Sequence, residues 1–293
     1  MGDKKMMIKG RGLPGILLLI SLLLLTGCGH RAGQPESQEV ALTFIHVGKG
    51  DALLLSVPGD GYYLVDTGKE KDFEEIQEVL DWKGVEELKG IFISHGHKDH
   101  AGGLKRIVEE YPVGCVYMSG LRDPSFQKIN VREVAQKAQV SVKELFMGDV
   151  LMLGKEESGV QVQVLGPEEI DEENENNNSL ILRVVYKDTA FLLMGDTELA
   201  SEERLLCSGA ELQAFVLKLG HHGKMDATSE ELLQRVRPSY GIVTANRKKE
   251  EGAADPAMAE RLLAAGVEVY YSEGKVRAVD FISDGTRVWA EEY

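Results

Sequence analysis

Ile91-Phe92-Ile93-Ser94-His95-Gly96-His97-Lys98-Asp99-His100-Ala101-Gly102-Gly103 decides how the rest of this chain is read. Three histidines and an aspartate fall within six positions, directly behind a short β-branched and aromatic run. The run reads as a buried strand, and Gly102-Gly103 permits a sharp backbone turn after it. Imidazole nitrogen and carboxylate oxygen are the donors preferred by zinc and its transition-metal neighbours. A strand ending in such donors holds them at a sheet edge, where a cleft can open. Five of the seven histidines fall in two clusters, here and at His221-His222, a grouping that scattered loop histidines would not show.

Working outward, the pattern is one of alternating strands and helices. Ala41 to Val47 and Ala52 to Val57 read as strands joined hairpin-style through Gly48-Lys49-Gly50-Asp51. The strand Tyr62 to Val65 ends in Asp66-Thr67-Gly68, and Asp72 to Leu80 has a helical apolar face of Phe73, Ile76, Val79 and Leu80. After the histidine stretch come a helix over about 101–111, a strand Val113 to Met118 and a helix Ile129 to Gln139. Strands Val150 to Leu153 and Val160 to Leu165 flank a turn at 154–159. Glu168 to Asn178 is acidic and Asn-rich, which predicts a solvated loop. Strands at Leu180 to Tyr186 and Ala190 to Met194 lead into Gly195-Asp196-Thr197. A helix from Glu198 to Leu206 and a strand Ala214 to Leu219 then run into Gly220-His221-His222-Gly223. Thr228 and Glu231 form a capping box for a helix to Val236. Gly241 to Thr244 is a strand, and Asp255-Pro256 starts a helix to Ala265 as N-cap and first helical residue. Strands at 267–271, 276–282 and 287–290 close the chain. One arrangement recurs: an apolar strand ending in Asp-Thr, a helix, and a strand ending in histidines, first from Asp66 to His95 and again from Asp196 to His221. Two such βαβ-like halves facing each other would bring both histidine clusters to one edge of a sandwich.

The ends of the chain read differently. Lys4, Lys5, Lys9 and Arg11 precede the apolar stretch Ile16 to Leu25, which has the dimensions of a signal h-region rather than a membrane span. Leu25-Thr26-Gly27-Cys28 resembles the lipobox of bacterial lipoproteins, which implies a signal peptide over 1–27, acylation of Cys28 and anchoring of the mature chain on the outer side of the cell membrane. Residues 28–39 are then a polar tether, and 40–293 one domain without an internal linker. The 33 Lys and Arg face 48 Asp and Glu, for a net charge of −15. Loss of residues 1–27 removes four basic residues against one acidic, deepening that excess. So acidic a chain gives no electrostatic case for steering duplex DNA, although bound metal would invert the sign locally. Cys115 and Cys207 make no disulfide framework and read as buried free thiols.

The pattern His95-X-His97-X-Asp99-His100 resembles the signature of the metallo-β-lactamase superfamily. His46-Val-Gly-Lys-Gly-Asp51-Ala52, Leu64-Val-Asp66-Thr-Gly68, Asn176-X-X-Ser179-Leu180, Leu193-Met-Gly195-Asp196 and Leu217-Lys-Leu-Gly-His221-His222-Gly223 narrow the resemblance to one branch. That branch includes the hydrolase domain of the competence protein ComEC and is similar to phosphorylcholine esterase. The match runs in order over about residues 40–290. It implies an α/β fold, an αββα sandwich of two mixed sheets flanked by helices, with a two-metal centre at one edge. It also implies that His95 and His97 bind the first metal, that Asp99 and His100 bind the second, and that Asp196 bridges them. Of the His221-His222 pair, His222 is taken as the remaining ligand of the second metal, with His221 facing substrate. Asp66 would accept an imidazole N–H and fix a ligand tautomer. His46 either faces the cleft or is a structural strand histidine.

The chain departs from that pattern in three places. Many members supply a third histidine to the first metal, and none lies between His100 and His221; Asn176 to Asn178 offer only amides. Lys224 stands where the branch has Ser, placed either to pair with a substrate phosphate or to be solvated. Where the branch continues with Asn and then His-Pro, this chain has Asn246 and, after a longer charged stretch, Asp255-Pro256.

Two metals a few Å apart bring a shared water to a pKa of about 7, which supplies a nucleophile at neutral pH, and they clamp phosphoryl oxygens. Asp99 can take a proton while ligating. The expected activity is hydrolysis of a phosphodiester or phosphorylcholine-like ester outside the membrane, with two divalent ions, zinc by the imidazole count and manganese as the alternative. A lactone or amide hydrolase is the enzymatic runner-up, and a lipid-anchored binding or accessory protein with a vestigial site is the non-enzymatic one.

Overall fold

β1 (Val40–Ile45), β2 (Leu53–Val57) and β3 (Gly61–Val65) form an antiparallel meander. α1 (Phe73–Lys83) then crosses over to β4 (Gly90–Ile93), which lies parallel to β3. α2 (Lys98–Ala101) and α3 (Leu104–Glu110) lead to β5 (Cys115–Ser119), and α4 (Val131–Lys137) to β6 (Ser141–Leu145), each strand parallel to the one before. The second sheet repeats the plan. β7 (Val150–Leu153), β8 (Val160–Gly166), β9 (Ile181–Tyr186) and β10 (Thr189–Leu193) pair antiparallel. α5 (Leu199–Cys207), β11 (Val216–Lys218), α6 (Glu230–Val236), β12 (Tyr240–Val243), α7 (Pro256–Ala264) and β13 (Glu268–Tyr271) then add parallel strands. β14 (Ala278–Ser283) returns to pair with β1, and β15 (Val288–Glu292) with β14. The sheet orders are β15-β14-β1-β2-β3-β4-β5-β6 and β13-β12-β11-β10-β9-β8-β7. This computed structural model describes Gly2 and residues 38–121, 128–154, 159–245, 255–273 and 275–293. The signal segment, Cys28, most of the tether and Asn246 lie outside the described residues.

Both sheets are mixed, and the layers follow from which faces are apolar. Leu42, Phe44, Leu55 and Phe92 of the first sheet meet Val162, Val184, Phe191 and Val216 of the second in the central core. Ile45, Leu54 and Ile91 turn the other way, against Phe73 and Ile76 of α1 and Leu104 and Ile107 of α3. Leu192, Leu217 and Val243 likewise meet Leu205 of α5, Leu232 of α6 and Leu262 of α7. Strands covered on both faces must be apolar throughout, which is why β1, β2 and β10 read as runs rather than as alternation. The result is the expected αββα sandwich. The recurrence of strand, helix and strand is a repeat of topology, since β3-α1-β4 and β10-α5-β11 are both parallel βαβ units.

Local differences from the sequence reading have identifiable causes. α1 runs one turn further, to Lys83, because that buried ammonium pairs with Asp280, which also accepts the Thr43 hydroxyl at 2.6 Å. The helix expected over 101–111 splits at Gly102-Gly103, and neither glycine uses left-handed freedom. They are there for close approach: a Cβ on Gly103 would lie 2.2 Å from the Thr67 carbonyl oxygen. β6 was not foreseen, since Ser141-Val142-Lys143-Glu144 is an edge strand with a polar outer face. The cap of α6 is Ser229, whose hydroxyl accepts from the Leu232 N–H at 3.1 Å, so the Thr228–Glu231 box is not formed. Glu202 receives the Thr228 and Ser229 N–H groups instead. Cys115 is half-buried and Cys207 exposed, so the thiols are not core residues. Among the described residues no helix is long and apolar enough to cross a membrane.

Candidate metal centre

The parallel strands β3, β4, β10 and β11 all end at one edge, and each delivers part of the site: Asp66, then Ser94 to His100, then Asp196, then His221-His222. The β1–β2 connection adds Asp51. Backbone hydrogen bonds lace these segments together. The His100 carbonyl accepts from the Thr67 N–H at 2.6 Å, the Asp99 carbonyl from the Asp51 N–H at 3.0 Å, and the Asp51 carbonyl from the Gly68 N–H at 2.8 Å. Gly195, at φ 54°, lets the β10 end pass so near Ser179 and Ser94 that a Cβ would sit 2.8 and 3.0 Å from their Cβ atoms. Asp66, His221 and His222 are non-glycine residues in the left-handed region, at φ 58°, 44° and 56°. Such backbone costs about 1–3 kcal/mol per residue and is held only where the surroundings over-determine it.

His100, His222, Asp196 and Asp99 converge. His100 Nε2 lies 3.1 Å from Asp196 Oδ1, His222 Nε2 3.3 Å from Asp196 Oδ2, and His222 Nε2 3.6 Å from Asp99 Oδ2. The far side of each ring is tied back. His100 Nδ1 is 2.8 Å from Asp66 Oδ2, and His222 Nδ1 is 2.8 Å from Thr244 Oγ1. Asp66 is itself held by the Ser94 N–H and hydroxyl, both at 2.7 Å. The Nε2 atoms therefore face one another across Asp196. His100 Nε2, His222 Nε2 and Asp196 Oδ1 are buried and have no hydrogen-bond partner among the described residues. Buried polar atoms are almost always satisfied, so three orphans on one point fit a cation.

Asp51 shares this cluster: one donor atom each from Asp51, His100, Asp196 and His222 fall within 4.8 Å of one another. It approaches the rings from behind, however, 3.7 Å from His100 Nδ1 and 3.5 Å from His222 Nδ1, and it is ion-paired to the buried Lys218 ammonium. We therefore assign it to orientation rather than ligation. Lys218 also donates to the Gly195 carbonyl at 2.7 Å and lies 3.8 Å from Asp196 Oδ1. A buried lysine closing an apolar strand must have a buried partner, and that signal at Val216-Leu217-Lys218 points to this pair.

The charges in the centre sustain one another. Burial alone would lower His100 and His222, but Asp196 together with Asp51, Asp66 and Asp99 more than reverses it: His100 is raised well above the ordinary histidine value and His222 to about 9. Burial would raise Asp196, Asp99 and Asp51, and the neighbouring imidazoles and Lys218 hold all three well below the usual carboxylate range.

The first-metal side is built otherwise. His95 Nε2 lies 3.0 Å from His97 Nδ1, and behind His95 stand only hydroxyls, Ser94 Oγ at 3.1 Å and Ser179 Oγ at 3.3 Å from its Nδ1. Burial lowers both pKa values, leaving neutral donors. Among the described residues no third histidine, cysteine or carboxylate clusters with this pair within 4.8 Å. The Asn-rich stretch is not the solvated loop its composition suggests. Glu175–Asn178 is a buried 3-10 turn, and Asn176 donates to Glu198 at 2.7 Å while its Oδ1 is buried without a partner among the described residues.

His221 stands outside the convergence. Its Nδ1 is 2.9 Å from Asp226 and 3.2 Å from Glu198, and its Nε2 is 2.6 Å from Lys224 Nζ. The Asp255 N–H donates to the Gly223 carbonyl, and the Asp255 side chain caps α7 through the Ala257 N–H at 2.8 Å, as its sequence context predicts. His46 is half-buried against Phe44, and burial holds its pKa down to about 4.

A layered αββα sandwich carrying imidazoles and carboxylates on the ends of its parallel strands belongs to a class of metal-dependent hydrolases. The metallo-beta-lactamase superfamily profile matches residues 47–244, and the chain belongs to that superfamily. It is 29% identical over 230 residues to ComE operon protein 3 of Bacillus subtilis (strain 168), covering 72% of this chain and 29% of that one. It is 28% identical over 252 residues to competence protein ComA of Neisseria gonorrhoeae, covering 85% and 33%. The chain thus spans about a third of the length of these curated relatives. Among solved structures, Igni18, a metallo hydrolase from the archaeon Ignicoccus hospitalis KIN4/I, superposes with a TM-score of 0.54 at 15% identity, covering 83% of this chain and 98% of that one. At that identity the likeness is one of fold.

Proposed function

We propose that this chain is a binuclear metal-dependent phosphodiesterase, held on the outer face of the cell membrane by a lipid on Cys28. The observation that carries the catalytic part is the convergence of three orphaned buried atoms, on His100, His222 and Asp196. His100, His222 and Asp99 would hold one divalent ion, His95 and His97 the other, with Asp196 between them. Zinc is favoured by four imidazoles, with manganese as the alternative. Bound there, the ions supply a nucleophile from water at neutral pH and draw charge from phosphoryl oxygens.

The chain's own residues do the rest. Asp99 is kept ionised by the neighbouring histidines, which suits it to hold an ion. Asp226 and Glu198 accept from the His221 Nδ1–H, which leaves Nε2 as the acceptor facing the Lys224 ammonium at 2.6 Å, and burial keeps the ring neutral. That arrangement puts the His221–Lys224 pair on the substrate side, while the Asp255 carboxylate is committed to its cap. Lys49, 3.3 Å from Asp99, and Lys224, beside His221, put positive charge on two sides of the centre. This favours an anionic phosphoester over a neutral lactone or amide. The missing third imidazole on the first-metal side supports the other reading, a lipid-anchored binding protein with a vestigial site.

The test is metal content of the detergent-solubilised chain, with turnover of bis-p-nitrophenyl phosphate against a chromogenic lactone. Diester turnover that Asp196→Asn abolishes is the expected result. Lactone turnover alone would move the assignment to the runner-up, and failure to retain zinc or manganese would defeat every hydrolase reading. Transfer of Cys28→Ala from the membrane to the soluble fraction is expected, and an unchanged membrane fraction would remove the lipid anchor.

A further inference from the structure

The turn after β11 gives its two histidines different tasks. His221 and His222 both hold left-handed backbone, at φ 44° and 56°, and their rings lie 6.1 Å apart. His222 faces Asp196, 3.3 Å away, while His221 meets a separate set of side chains. Two carboxylates stand at its Nδ1, Asp226 at 2.9 Å and Glu198 at 3.2 Å. Two donors stand at its Nε2, the Lys224 ammonium at 2.6 Å and the Asn176 amide at 3.4 Å. One tautomer satisfies all four, with the proton on Nδ1 and the lone pair on Nε2.

That tautomer decides what the group is for. Glu198, His221 and Asp226 bring donor atoms within 4.8 Å of one another, as a metal site would. An ion there would need the Nδ1 lone pair and would leave an N–H at Nε2 pressed against an ammonium. The grouping is therefore a hydrogen-bonded support, and what it supports is Lys224. Glu198 is itself fixed by the amides of Asn174 and Asn176, each at 2.7 Å, and its N–H donates to Asn177 Oδ1 at 3.1 Å. The buried turn holds the carboxylate, the carboxylate holds the ring, and the ring holds the ammonium.

Lys224 is half-buried and makes no salt bridge with any described residue. Its partner is a neutral acceptor, so its charge is not cancelled where it stands. An ammonium has three N–H donors; one is spent on His221 Nε2, and two remain for an acceptor from outside. Lys224 also stands where the branch has Ser, which makes this charge a property of this chain.

We propose that Lys224 is a specificity-determining residue, whose ammonium takes the negative charge of a phosphoester oxygen beside the metals, and that His221 is its positioning residue. The proposal rests on the phosphodiesterase reading of the centre and names the group that selects a monoanionic diester over a neutral ester. An ammonium attracts a phosphoryl anion by a Coulomb interaction that a neutral triester or lactone does not return. The selection is therefore by charge rather than by shape.

Three measurements on the detergent-solubilised full chain test this. The first is calorimetric binding of diphenyl phosphate by zinc-loaded protein, which needs no turnover. Lys224→Ala should weaken it about tenfold, the worth of one hydrogen bond to a charged group, and Lys224→Arg should recover most of the loss. The second is kcat/KM for bis-p-nitrophenyl phosphate over that for its neutral methyl triester, which has the same leaving group. That ratio should also fall about tenfold in Lys224→Ala. The third is a double-mutant cycle on the ratio. His221→Phe should lower it when Lys224 is present and add nothing to Lys224→Ala, because the ring acts through the ammonium. His221→Phe should also keep the zinc content of the wild type, which loss of a ligand would reduce. Additive effects would overturn the positioning role of His221. Equal binding by the wild type and Lys224→Ala, or none by either, would overturn the role of Lys224, and diester turnover would still uphold the phosphodiesterase. Diphenyl phosphate binding that Lys224→Ala loses, without turnover of either ester, would overturn the phosphodiesterase and leave Lys224 standing.

Discussion

The two halves of the centre lie side by side yet are supported in opposite ways. Behind His100 and His222 stand Asp66, Asp51, Lys218 and Thr244, so each ring is oriented at Nδ1 and its Nε2 is aimed. Behind His95 stand two serine hydroxyls at 3.1 and 3.3 Å, and His97 is half-buried. The first arrangement fixes tautomer, direction and basicity before any ion arrives; the second leaves neutral donors whose geometry the ion must settle. The difference teaches that four imidazoles of similar sequence context need not be equivalent ligands. The second site should be the tight one, and the first should fill later and exchange sooner.

The largest effect expected from this contrast is on folding. Lys218→Met leaves Asp51 buried without its cation and should cost about 3–5 kcal/mol in urea unfolding. Ser179→Ala, which takes a hydroxyl from His95 and an acceptor from the Asp196 N–H at 3.1 Å, should cost less, about 1–3 kcal/mol. Equal costs would mean that the ion pair is not what holds the second half in place.

Metal occupancy separates the halves more directly. His97→Ala should keep about one tightly bound ion per chain after dialysis, while His222→Ala should keep none, because Asp99 and Asp196 both depend on that ring for company. The reverse order would show the first site to be the primary one. A step smaller, Asp66→Asn should weaken zinc at the second site by about 10–100-fold by disturbing the His100 tautomer. Ser179→Ala, which touches His95 and the Asp196 backbone but no tautomer of the second site, should change affinity by no more than about tenfold.

How much of this was open to reading in the sequence follows from the kind of signal each part leaves. The sandwich was legible because strands covered on both faces must be apolar, and the topological repeat because Asp66-Thr67 and Asp196-Thr197 end matching strands. The loops carrying His95 to His100, Asp196 and His222 do meet at one edge. Composition misled at Asn176 to Asn178, where three amides bury themselves by bonding Asp171, Glu198 and one another's turn, which no polarity scale anticipates. Asp51 and Lys218 stood in recognisable motifs without a role, since their pairing joins residues far apart in the chain and depends on the two sheets meeting. β6 escaped because an edge strand with one solvated face carries half the apolar signal of a central one.

The smallest effect, and the one that tests both halves in a single experiment, is the pH dependence of the metal-free protein. His222 sits at about 9 and His100 well above the ordinary value. Each binds its proton more tightly folded than unfolded, so their contribution is fully present below about pH 6.5 and is lost as pH rises through about 9. His95 and His97 are lowered by burial, and burial holds His46 down to about 4. The unfolded chain takes up those protons first, so their contribution is present above about pH 6.5 and is lost as pH falls below it. The carboxylates Asp196, Asp99 and Asp51 stay ionised throughout this range and shape neither limb. Stability of the metal-free protein should therefore peak between about pH 6.5 and 7 and fall on both sides, the alkaline limb belonging to His100 and His222 and the acid limb to His95 and His97 together with His46 and His221. Chemical denaturation from pH 5 to 9.5 checks this. His222→Gln should flatten the alkaline limb and leave the acid one, and His97→Gln should do the converse. If both substitutions flatten the same limb, the two halves titrate as one unit and the asymmetry drawn from their supporting residues is wrong. Zinc should reverse the alkaline limb, because an ion must displace the protons that His100 and His222 hold, and its stabilisation therefore grows with pH until those protons are gone.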